Sequence, residues 1–225
     1  MSNETKNKVV PKLRFPEFME SGEWDKKEFN DILEITRLAG YEYSEYWEED
    51  LNKEIIALRG YNIGKGKLEL NNLGYISNNL SLQLIRSRLS KGDIVYPCVG
   101  TIGNAVVIEE DDKYHIQQNI AKLTPKKGVS PYFISQFLMS GLGMSEVYRF
   151  NASSSQPNVL VGSLRKFEIH IPGFEEQQKI SDCLSSLDEQ ISAQAEKIEA
   201  LKTHKKGLMQ ALFPSPEGAH QVNIG

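Results

Sequence analysis

The sequence predicts a mixed α/β (α+β) globular domain followed by one long α-helix of the coiled-coil-forming kind. Two patterns carry this expectation. Over residues 55–123, short β-branched and aromatic runs alternate with Gly, Asn and charged turns. Over residues 180–212, apolar side chains recur in a 3-4 spacing that a helix gathers onto one face. Pro172-Gly173 separates the two patterns, as a strand-to-helix break should.

Taken in order, residues 1–10 are polar and aperiodic, which predicts a flexible lead. Residues 29–38 read as an amphipathic turn or short helix. Residues 41–50 mix aromatic rings with carboxylates and read as a solvated face with a few anchored rings. Strands are expected at 55–58, 74–76, 94–96, 105–108, 115–116 and 120–123, and short helices at 130–140 and 144–150. Residues 167–171 alternate like a strand.

The helix over residues 175–213 opens with Glu175 and Glu176, whose charge suits its first turn, and Pro214 and Pro216 stop it. Its seam is Ile180, Leu184, Leu187, Ile191, Ile198, Leu201, Leu208 and Leu212, interrupted by Gln194 and Lys205. At 1.5 Å per residue it spans roughly 57 Å, longer than one compact domain needs internally. It is therefore expected to pack on a second copy or a partner subunit. The expected divisions are a globular domain at 1–174, the helix at 175–213 and a flexible tail at 214–225.

The chain has 225 residues, 40% of them hydrophobic, and a net charge of −4. That balance argues against nucleic-acid binding by bulk charge but leaves room for a local basic face. Arg59, Lys65, Lys67, Arg86, Arg88 and Lys91 lie in a stretch poor in acids, while residues 42–50 and 109–112 concentrate carboxylates elsewhere. Two cysteines, Cys98 and Cys183, imply neither a disulfide framework nor a zinc site, and both are expected to be buried. With no signal peptide and no apolar run of about 18 residues, a cytoplasmic chain without a membrane partner is expected.

Residues 60–68 invite comparison with a phosphate-binding loop, but Tyr61 stands where the first glycine belongs and Leu68 where the hydroxyl belongs. A glycine-permitted hairpin is the plainer reading. Gly100-Thr101-Ile102-Gly103-Asn104 reads as a tight turn between strands. No Asp/Asn-Pro-Pro-Tyr loop or cofactor glycine loop occurs, and Glu109-Glu110-Asp111-Asp112 reads as a solvated turn. His115, His170, His204 and His220 lack ligand spacing, so neither a catalytic residue nor a metal site is expected.

Several motifs resemble one family. Ile171-Pro172-Gly173-Phe174-Glu175-Glu176-Gln177-Gln178-Lys179-Ile180, with Leu184 and Leu187-Asp188 behind it, is similar to the strand-to-helix junction of type I restriction-modification specificity (S, HsdS) subunits. Ser153-Ser154-Ser155-Gln156-Pro157-Asn158 resembles their S-x-Q-x-N element. Gly92-Asp93-Ile94-Val95 with Gly100-Thr101-Ile102-Gly103 resembles their GDI…G-x-x-G strand pair, and Gln117-Gln118-Asn119-Ile120-Ala121 their QN-x-A strand. The opening Pro11-Lys12-Leu13-Arg14-Phe15-Pro16-Glu17-Phe18 and Trp24 are also similar.

Members of that family carry two target recognition domains in a chain about twice as long, whereas this sequence shows no internal repeat. The resemblance implies half a specificity subunit: one target recognition domain and one helix, non-catalytic and without a cofactor of its own. Its implied partners are double-stranded DNA, methyltransferase subunits that bind S-adenosylmethionine, ATP-dependent restriction subunits and a second copy of the chain. Long donors suited to base edges nominate Arg59, Asn62, Lys65, Lys67, Arg86, Arg88, Thr101, Asn104, Gln117, Gln118, Ser154 and Gln156 as DNA-binding residues. The seam residues with Gln194 and Lys205 are nominated as the dimer or subunit interface. A second reading follows from the acidic balance: a coiled-coil or anti-restriction protein that occupies methyltransferase subunits without reading DNA.

Overall fold

The computed structural model describes residues 9–151 and 158–213. Most of the expected lead, the Ser153 to Pro157 element and the tail lie outside these residues. The chain divides into two units, Met1–Ser181 and Asp182–Gly225, so the division falls about two turns inside the long helix.

In chain order, the first unit holds β1 (Asp25–Glu28), α1 (Phe29–Ile32), β2 (Leu33–Arg37), α2 (Gly40–Tyr46), β3 (Ile55–Leu58), β4 (Gly74–Ile76) and α3 (Asn78–Gln83). There follow β5 (Ile94–Pro97), β6 (Val106–Val107), β7 (Tyr114–Ile116), β8 (Ile120–Pro125), α4 (Pro131–Met139) and α5 (Gly141–Phe150). After the segment not described come α6 (Val161–Leu164), β9 (Glu168–Ile171) and α7 (Phe174–Leu212).

Three sheets organise the domain. An antiparallel sheet has the order β2-β8-β5-β6, a second has the order β4-β3-β7 with β3 and β7 parallel, and β1 pairs antiparallel with β9. β5 is buried along its whole length between β8 and β6, which is why it reads as an unbroken apolar run. Its side chains alternate across the sheet. Ile94 and Tyr96 enter a core with Phe29, Ile35, Leu123, Phe133 and Phe167, whereas Val95 enters a second core with Leu58, Leu89, Ile116 and Ile120. Each fully buried chain of this kind contributes about 1.5–3 kcal/mol relative to exposure.

The strands expected at 55–58, 74–76, 94–96, 115–116 and 120–123 form within a residue or two of their expected ends, and the 105–108 strand shortens to Val106–Val107. Both short helices form as α4 and α5, with Ser130 and Ser140 accepting from backbone N–H groups in their first turns. The ring-rich stretch is anchored as expected: Tyr43 and Trp47 stack at 5.3 Å and pack on a third core that includes Leu38, Ile55 and Ile76.

Residues 29–38 differ from expectation. One helical turn, α1, gives way to β2, where Leu33 and Ile35 are buried and Glu34 between them is exposed. The apolar spacing suits a helix only as far as Leu33; beyond it the free edge of β8 supplies a ladder from Leu33↔Pro125 to Arg37↔Ala121. Strand β1 is exposed at all four positions and has no apolar signal, so its ladder with β9 defines it. Cys183 is exposed, contrary to expectation, because it lies on an unburied face of α7; Cys98 is buried.

The first turns of α7 are seated in the globular unit. Glu176, 2% exposed, accepts two bonds from the Arg14 guanidinium at 2.8 and 2.7 Å and one from Trp24 Nε1 at 3.3 Å. Gln177 accepts from Ser130 N and donates to the carbonyls of Pro172 and Gly128. The two polar residues of this junction are thus buried anchors, a role beyond favourable charge at a helix start. Ile180 is half-buried against the main core, so this residue of the expected seam faces its own domain. Among the described residues, no helix is long and apolar enough to cross a membrane, and no cluster of His, Cys, Asp or Glu could hold a metal ion.

Candidate nucleic-acid interface

The glycine-rich stretch at 60–68 is a hairpin. Ile63 bridges Leu68, Gly64 N bonds Lys67 O, and Gly66 turns the chain at φ +74°. Asn62, fully buried, holds it from within: Nδ2 donates to the carbonyls of Glu69 and Asn71, and Oδ1 accepts from Arg59 N. Lys65 and Lys67 are exposed.

The turn at 100–104 packs against this hairpin. Thr101 Oγ1 donates to Gly60 O at 3.0 Å, Asn104 Nδ2 donates to Ile63 O at 2.8 Å, and Gly66 N reaches Ala105 O at 3.1 Å. Gly103 has φ +90°, a left-handed conformation that favours glycine, and a Cβ there would displace the flexible Met144 side chain, whose Sδ it would meet at 2.8 Å. Arg59 adds the third component, donating from Nε to Gln117 Oε1 at 3.1 Å. Gln118 beside it is exposed. The structure thus gathers Arg59, Asn62, Lys65, Lys67, Thr101, Asn104 and Gln117 into one region built from three separated segments.

Within that region the side chains divide by availability. Asn62 and Gln117 are buried and bonded internally, and the Asn104 amide is bound to backbone, so these three hold the surface in shape. Lys65, Lys67 and Gln118 are exposed long donors with no described partner. Arg59 lies between the two groups: it bonds Tyr61 Oη at 2.9 Å and Glu49 Oε1 at 2.5 Å, and its pKa is raised, first by the Tyr61 bond.

The other two arginines lie apart and also meet acids. Arg88, 8% exposed, donates to Asp112 Oδ1 at 2.9 Å, Asn78 Oδ1 at 2.8 Å and Ser81 Oγ at 3.0 Å, and is an internal tie. Arg86 pairs with Glu42 at 3.3 Å. The carboxylates expected to stand away from the basic stretch therefore fold back onto Arg59, Arg86 and Arg88. Ser154 and Gln156 lie outside the described residues. Sequence reasoning passed over Arg37 and Arg165, which share a cleft with Arg86; no motif marks them, since only folding brings the end of β2 beside α6.

The Gly92-Asp93-Ile94-Val95 motif has an internal role. Asp93, 3% exposed, accepts from Ser90 N at 2.8 Å and from Thr124 Oγ1, and pairs with Lys122 at 3.2 Å. Burial pushes the Cys98 thiol up to about 11, so this sulfur stays protonated near neutrality and is a poor nucleophile. The Tyr132 hydroxyl is pushed up to about 12, first by burial and then by its bond to Glu109.

Comparisons with known proteins fit this architecture. Over 178 residues the chain is 27% identical to the type I restriction enzyme EcoBI specificity subunit of Escherichia coli, covering 79% of this chain and 36% of that protein. Over 208 residues it is 22% identical to the type I restriction enzyme MjaVIII specificity subunit of Methanocaldococcus jannaschii, covering 90% of this chain and 48% of that protein. The chain thus spans less than half the length of these relatives. The fold is shared with the S subunit of a type I restriction-modification system from M. genitalium, with a TM-score of 0.53 and 14% identity over 84% of this chain and 46% of that one. It is shared equally with the HsdS subunit of Thermoanaerobacter tengcongensis, with a TM-score of 0.53 and 13% identity over 84% of this chain and 42% of that one. Residues 21–203 match the type I restriction modification DNA specificity domain, and the chain belongs to that family.

Proposed function

We propose that this chain is the non-catalytic DNA-reading subunit of a type I restriction-modification complex. The carrying observation is the match of residues 21–203 to the specificity domain, which takes in the hairpin, the glycine turn, the junction and most of α7. In this reading, methyltransferase subunits bring S-adenosylmethionine and restriction subunits bring ATP, while this chain selects the site. Lys65, Lys67 and Gln118 are the first base-reading candidates: they are exposed on an internally braced surface, and such side chains suit guanine and adenine edges.

In the same reading, two copies pair through α7. Leu187, Ile191, Ile198, Leu201 and Leu212 are each at least half exposed, an apolar face that water disfavours. Antiparallel pairing about a two-fold axis places the two domains at opposite ends of the paired helices, so the target is a bipartite palindrome with an unspecified spacer. Gln194 and Lys205, polar within the seam, set register and orientation.

A gel shift of the full chain with its methyltransferase subunits and methylation mapping in the host test these statements. A retarded duplex and a palindromic methylated motif are expected. No retardation would favour a protein that occupies methyltransferase subunits without reading DNA, and a non-palindromic motif with no second specificity chain would overturn the pairing.

A further inference from the structure

Arg37, Arg86 and Arg165 are distant in sequence, yet they line one cleft of about 530 Å³ together with the hydroxyl-bearing Thr36 and Ser163. The cleft lies at β2, the outermost strand of its sheet, with α6 beside it. No carboxylate lines it among the described residues. Arg165 is fixed at its rim by a bond from Nη2 to Ile35 O at 2.9 Å. Arg86 meets Glu42 at 3.3 Å, with the arginine side chain 65% and the glutamate 12% exposed, so this acid offsets part of its charge and Arg86 is the least available of the three. Arg37 is exposed and its side chain has no described partner.

Arg37 and Arg165 stand in this cleft with no described acid beside them and Arg86 adds a partly offset charge, so the cleft is net positive and attracts an anion. Arginine forks match phosphate oxygens, and hydroxyl donors add to them without reading sequence. We infer that this cleft grips the phosphate backbone of duplex DNA and sets the domain's position on it, apart from the surface that reads bases. The inference rests on the DNA-reading function proposed above and adds a second attachment to it.

The test measures the affinity of the full chain, assembled with its methyltransferase subunits, for a mixed-sequence duplex and for the mapped target over a range of salt. Arg37→Ala and Arg165→Ala should each flatten the slope of log affinity against log salt by about 0.9, the counterion release of one neutralised phosphate. The loss should be equal on both duplexes, and Arg37→Lys should keep the slope. Arg37→Ala removes no described bond and so reads binding apart from folding. An unchanged slope in Arg37→Ala, or a loss confined to the target duplex, overturns the inference while leaving the proposed function standing. Failure of the unaltered assembly to bind either duplex overturns both.

Discussion

Asn62 shows how a residue chosen for one chemistry serves another. As a bare amide beside glycines it looked suited to an adenine edge; folded, it is enclosed and replaces missing backbone ladder bonds inside the hairpin. Asn62→Ala removes the part-buried bonds to Glu69 O, Asn71 O and Arg59 N, so a loss of about 1–3 kcal/mol is expected in urea unfolding. His115 gives a second residue-scale outcome. It is fully buried, with Nδ1 2.8 Å from Ile116 O and Nε2 3.2 Å from Leu84 O. Burial holds its pKa below the ordinary 6.5, helped by the charges of Arg88 and Lys122 and opposed by the two carbonyls. The unfolded ring therefore takes up a proton before the folded ring does. Its contribution to stability is complete above 6.5 and is lost as pH falls through the folded pKa. Denaturant midpoints between about pH 8 and 5 should fall with pH, and less steeply in His115→Leu.

At the scale of the element, α7 changes character along its length. Gln177 fastens its start to the loop before α4 and to the end of β9. Gln177→Ala should cost about 1–3 kcal/mol by urea unfolding, since Ser130 N, Gly128 O and Pro172 O lose their partner. Beyond Ser181 every seam residue is exposed. If copies pair here, Leu187→Asp with Ile191→Asp should turn a dimer into a folded monomer by light scattering, because each buried apolar side chain it removes contributes about 1.5–3 kcal/mol. A monomer that these changes leave unaltered counts against the pairing.

At the scale of the whole molecule, the acidic net charge and the proposed DNA binding are compatible because the acids are placed locally. Glu49, Glu42 and Asp112 fold onto Arg59, Arg86 and Arg88, while Lys65 and Lys67 remain exposed. Lys65→Ala with Lys67→Ala should weaken binding in the assembled complex and flatten its salt slope by about 0.9 for each phosphate no longer neutralised. An unchanged slope removes the hairpin from the interface. Incubated alone with S-adenosylmethionine and DNA, the chain should transfer no methyl group, and transfer without a partner subunit would overturn the non-catalytic reading.

The sequence by itself determined the long helix, its strand-to-helix junction and most strands between Ile55 and Leu123, because periodicity and Gly-Pro punctuation are local properties that hold before any packing is known. It also carried the family, through motifs whose order the chain preserves. Tertiary structure alone decided β1 and β2, which form on edges offered by β9 and β8. It decided equally which candidate side chains can meet a ligand. Whether an arginine is free depends on the acid that folds beside it, and those acids stand 10, 44 and 24 residues away from Arg59, Arg86 and Arg88. Desolvation and charge pairing act through space over a few ångströms, so no local pattern in the chain could rank Lys65 above Asn62, or bring Arg37 and Arg165 to one cleft.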